Sequence, residues 1–91
     1  MSTYQVAEID ARGFLALTVA TTRRRGIIVA KVALAAGLDW DLHFGDGDAV
    51  RFNLCAEAAR IDAVVKTLRR SRFQPADNHK PQAFKASSAS V

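Results

Sequence analysis

Three arginines and a glycine, Arg23 to Gly26, split the most apolar stretch of the chain in two, and the conformation of each half decides the fold. The first half, residues 14–25, fits two periods. As a strand it puts Leu15, Leu17 and Val19 on one face, and its β-branched Thr18, Val19, Thr21 and Thr22 favour extension over a crowded helical backbone. As a helix it aligns Leu15, Thr18, Val19 and Thr22 at i, i+3, i+4 and i+7. The run Arg23–Arg24–Arg25–Gly26 reads as a helix end, with cations in the last turn and glycine at C′. A crossover helix would also let the strands on either side lie parallel. On these grounds a helix is expected over residues 14–25.

The other segments read more directly. Residues 4–9 are expected as a first strand, followed by a tight turn at 9–13. Residues 27–35, IIVAKVALA, are β-branched and alternate, so they read as the next strand. Trp40, Leu42 and Phe44 alternate with Asp41 and His43, GDGD at 45–48 is turn chemistry, and Val50, Phe52 and Leu54 alternate on the return. Residues 56–71 form the clearest helix, with Ile61, Val64, Val65 and Leu68 in one stripe and Arg69 and Arg70 at its end. Phe73 and its neighbours suit a short last strand, restricted to a sheet edge by Pro75. With residues 36–48 counted as a long loop between the second and third strands, the sum is a ferredoxin-like βαββαβ sandwich: a four-stranded antiparallel sheet with two helices on one face.

At 91 residues the chain suits one domain. The domain is placed at residues 1–78, with a flexible tail over the polar, small-residue stretch 79–91. No apolar run approaches the roughly 18–20 residues of a membrane span. The N-terminus has neither the basic nor the apolar region of a secretory signal, and a lone cysteine, Cys55, makes no internal disulfide. A cytoplasmic protein is expected. The net charge of +4 suits nucleic acid, but it is concentrated in Arg23–Arg25 and in Arg69, Arg70 and Arg72. Both clusters read as helix C-termini favoured by the macrodipole, and no aromatic is interleaved to stack bases.

The order of these signals resembles the ACT domain family. Its turn, an Asn or Asp, two residues, glycine and two apolar residues, is matched by Asp10, Ala11, Arg12, Gly13, Phe14 and Leu15. Twelve residues separate Gly13 from Gly26, and residues 26–39 and 50–70 are similar to the following strands and helix of the short, single-domain regulatory subunit of acetolactate synthase. The resemblance covers residues 4–74. Thr18, Thr21 and Thr22 depart from it, standing where the family has larger apolar residues. Ile28 also departs, standing where effector-responsive members often have asparagine.

The resemblance implies a non-catalytic regulatory subunit that dimerises through sheet edges, takes a small amino-acid effector and acts on a catalytic subunit. That partner, acetolactate synthase of branched-chain amino-acid biosynthesis, would hold the thiamine diphosphate and magnesium; this chain would hold no cofactor. The expected effector site is Asp10, Arg12, Gly13, Phe14, Leu15 and Ile28. A helix starting at Gly13 would offer unpaired N–H groups to a carboxylate, and Asp10 would accept the ammonium. The same residues also read as a plain helix cap and a turn glycine.

No catalytic or metal site is expected. Asp39, Asp41, Asp46 and Asp48 put Phe44 where a calcium loop needs glycine. Cys55 has His43 as a neighbour across the hairpin but no orienting third group. Trp40 reads as core or as an anchor on a partner. Two alternatives stand beside the regulatory subunit: a stand-alone amino-acid sensor, and a small ferredoxin-like RNA-binding protein.

Overall fold

The computed structural model describes residues 2–9 and 12–76. The elements run β1 (Thr3–Glu8), β2 (Phe14–Thr22), α1 (Arg23–Ala35), β3 (Asp41–Phe44), β4 (Ala49–Glu57), α2 (Ala58–Arg70) and β5 (Gln74–Pro75). The sheet order is β3-β4-β2-β1-β5. All neighbours are antiparallel except β1 and β5, so the sheet is five-stranded and mixed, not the expected four-stranded antiparallel one. The expected tail, residues 79–91, lies outside the described residues.

Residues 14–35 are the main correction. The expected helix is strand β2 and the expected strand is helix α1. β2 is central, pairing with β1 from Leu15 to Ala20 and with β4 over its full nine residues. Its threonines, awkward in a helix, each find a partner in the extended chain. Thr21 is buried and its hydroxyl bonds that of Ser2, just before β1, at 2.7 Å. Thr18 donates to Asn53 Oδ1 of β4 at 3.3 Å. Thr22 caps α1, its hydroxyl accepting from the Arg25 N–H at 3.3 Å.

α1 hides its period. Only Gly26, Val29 and Ala33 are buried, a narrow stripe of small residues at i, i+3 and i+7, while Ile27 and Leu34 are exposed. Gly26 is therefore in the first turn, not at C′, and the arginines lead the helix instead of ending it. The true end is a Schellman motif. Gly37 has φ +71°, its N–H bonds Leu34 O at 3.0 Å, and the Leu38 N–H bonds Ala33 O at 2.9 Å. α2 ends the same way around Arg72 at φ +70°, and Phe73 is buried behind it.

Both helices pack on β2, β4 and each other. The face they cover carries Leu17 and Val19 of β2 and Val50, Phe52, Leu54 and Ala56 of β4, all buried. The opposite face carries exposed Ala20, Arg51 and Cys55. The hairpin 41–57, the α2 stripe and the edge position of Pro75 follow the sequence reading. No helix among the described residues is long and apolar enough to cross a membrane.

Candidate functional site

The residues expected to gather around an effector do not share a helix end. Gly13, at φ +84°, closes the β1–β2 turn, and Phe14 begins β2. The chain enters no helix there; α1 starts at the far end of β2, about 26 Å away along the strand. Ile28 is half-buried in α1 against the core, and Leu15 is packed on the core from β2. The Arg12 guanidinium lies 5.7 Å from the Phe14 ring centre. Asp10 lies outside the described residues. The helix end closest in bonding to Gly13 is that of α2, and there the Gly13 carbonyl accepts the Ala58 N–H at 3.0 Å. That bond uses one of the donors a bound carboxylate would need.

A cleft forms instead where two strands of unequal length part. β3 stands opposite only residues 50–53 of β4, and β4 continues to Glu57. Residues 37–41, leading into β3, and the end of β4 line a cleft of about 520 Å³. Phe14 and the half-buried Trp40 supply its aromatic lining. Trp40 is held from behind by Phe52, with ring centres 6.4 Å apart and planes inclined at 51°.

Both signs of charge line the same space. Asp39, Asp41 and Glu57 bring carboxylates and Arg60 brings a guanidinium, its Nε 3.5 Å from Glu57 Oε1. The pair is solvent-exposed, so its members are available to exchange each other for a ligand at little cost. Of the described residues expected at the site, Phe14 alone lines this cleft. The sequence reads Trp40 as core or as an anchor on a partner, and the unequal lengths of β3 and β4, which create the opening, leave no mark in residue type.

The remaining constellations separate. His43 stands opposite Arg51, which is four residues, or about 13 Å, from Cys55 along β4, so His43 and Cys55 do not meet across the hairpin. No group of three or more His, Cys, Asp or Glu residues among those described is placed to hold a metal ion. Arg23 and Arg25 lie over aromatic rings, Phe44 at 4.9 Å and Phe73 at 4.8 Å. Phe52 faces the helices, so it is not offered to a base on the open face.

No family model, no curated protein and no solved structure matches the chain.

Proposed function

We propose that the chain is a non-catalytic binding module of ferredoxin-like kind, whose cleft takes a small zwitterion of the amino-acid class. The βαββαβ order is present one strand later than the sequence suggested, as β2–α1–β3–β4–α2–β5. β1 is then an added strand, inserted between the first and last members of that unit.

The observation that supports the ligand class is the mixed lining of the cleft. Arg60 suits a carboxylate, Asp39, Asp41 and Glu57 suit an ammonium, and Trp40 and Phe14 suit an apolar or aromatic side chain. A regulatory subunit acting on a catalytic partner is the wider form of this reading. The particular partner, acetolactate synthase, rested on residues 14–25 being a helix of the ACT kind. With a strand there, the proposal stops at the class: a module that binds a small effector and acts on another protein.

The test is titration of the purified chain with a panel of amino acids and their decarboxylated and deaminated analogues. Trp40 is the single tryptophan, so its fluorescence reports the cleft directly. Saturable binding of zwitterions, lost in the analogues missing either charge, is the expected result. Silence across the panel by fluorescence and calorimetry overturns the reading. RNA binding with a steep salt dependence would favour the nucleic-acid alternative.

A further inference from the structure

The two edges of the sheet are unequally protected. β5 is two residues long and contains Pro75, which has no N–H to give a further strand. Among the described residues β3 bonds to β4 on one side only, and it runs without a bulge. Its residues, Asp41, Leu42, His43 and Phe44, include no proline or lysine, the usual guards of an open edge. Leu42 and Phe44 lie on the helix-covered side, opposite Phe52 and Val50, yet are 41% and 64% exposed. Ile27 of α1, 59% exposed, lines one apolar trough of about 310 Å³ with them. Asp41 and His43 lie on the open side of the sheet.

We propose that β3 is a homodimer edge, at which two copies pair antiparallel about a two-fold axis through Leu42, joining their sheets. The occupant follows from the self-complementarity of the strand. A two-fold axis normal to the sheet keeps every side chain on its own face, and directly opposed residues of an antiparallel pair share a face. Only registers centred on a residue satisfy both conditions. Centring on Asp41 opposes two aspartates, and centring on His43 opposes two histidines. Centring on Phe44 opposes Asp41 and Leu42 to the turn residues Gly47 and Asp46. Centring on Leu42 sets Asp41 opposite His43 twice on the open face. It also sets Leu42 against its own copy, and Trp40 against Phe44, on the covered face. That register alone sets a carboxylate against an imidazole on one side, gives apolar contact on the other, and uses the whole strand. It brings the exposed apolar trough of each copy to the junction. The edge shares Asp41 and the flanking Trp40 with the cleft, but its pairing requires no ligand there.

Sedimentation of the full chain across a dilution series tests it. A reversible dimer is expected. Leu42→Lys should leave the far-UV spectrum unchanged, because the side chain is partly exposed, and should yield monomer. Asp41→Lys and His43→Glu should each weaken the dimer roughly 3- to 30-fold, as expected for two cross-strand pairs, and together should restore it. A chain that is monomeric at millimolar concentration overturns the proposal. So does a dimer indifferent to Leu42→Lys, or one in which the paired charge exchange fails to restore what the single changes removed.

Discussion

The guanidinium of Arg25, in the first turn of α1, lies 4.8 Å above the ring of Phe73 and donates to the carbonyl of Ser71. One side chain thus ties the start of the first helix to the end of the second. A cation at a helix N-terminus opposes the macrodipole. The contacts across α2 are what compensate, since Phe73 is buried and the Ser71 carbonyl belongs to the orphan acceptors of the α2 end.

Arg25→Ala is therefore expected to destabilise the fold by about 1–3 kcal/mol, combining a lost cation–π contact with a lost charged hydrogen bond. Arg25→Lys should recover only part, because an ammonium cannot lie flat on the ring and reach the carbonyl as a fork does. Urea denaturation of the three proteins measures both. Stabilisation by Arg25→Ala, as the dipole alone would dictate, would reverse this account.

Gly26 is set by packing. A Cβ added there would meet Phe52 Cε1 at 3.2 Å and Val50 Cγ2 at 3.5 Å. Phe52 is buried, and Trp40 backs its ring. Gly26→Ala should therefore fail to deliver the roughly 1 kcal/mol that alanine normally gains over glycine inside a helix. Gly26→Val should cost about 1–3 kcal/mol by overpacking. Trimming the obstacle with Phe52→Leu should make Gly26→Ala more favourable than it is in the parent. Thermal melts of the five proteins measure these changes, and the four without Gly26→Val form the cycle.

The same glycine explains where the sequence misleads. Arg23 to Gly26 matches the grammar of a helix end, but Thr22, just before it, is also a good N-cap, and both readings are local. The stripe of α1 consists of Gly26, Val29 and Ala33, too small to stand out against exposed Ile27 and Leu34, so its period looked like that of a strand. In α2 the large residues Ile61, Val64 and Leu68 are the buried ones, and the period is plain. The hairpin was equally plain, since Val50, Phe52 and Leu54 alternate strictly with outward Arg51, Asn53 and Cys55. Of the cleft, only its residue types were legible; the early end of β3 is a tertiary fact.

Arg72 is held at φ +70°, the left-handed conformation that suits glycine. Its N–H bonds the Arg69 carbonyl at 3.1 Å while the Phe73 N–H reaches Leu68 O at 3.0 Å, so the motif itself is complete. Arg72→Gly should stabilise the domain by about 0.5–1 kcal/mol, the relief of backbone strain exceeding the added freedom of the unfolded chain. Arg72→Val should destabilise it, a β-branched residue being the worst tenant of that conformation. Equilibrium unfolding decides, and equal stability of glycine and valine variants would remove strain as the cause.

The buried hydroxyls of Ser2 and Thr21 lie 2.7 Å apart across nineteen residues of sequence. They meet only if residues 14–22 run extended beside β1, where Thr3 is opposite Ala20. Each hydroxyl is the other's partner in a site where a lost hydrogen bond leaves a desolvated polar group behind. Thr21→Val and Ser2→Ala are each expected to cost about 1–2 kcal/mol, and the double variant to cost clearly less than their sum. A helix over the same residues would point Thr21 and Ser2 to unrelated surroundings, and the two costs would simply add. Coupling in that cycle therefore tests the one element on which sequence and structure disagree most.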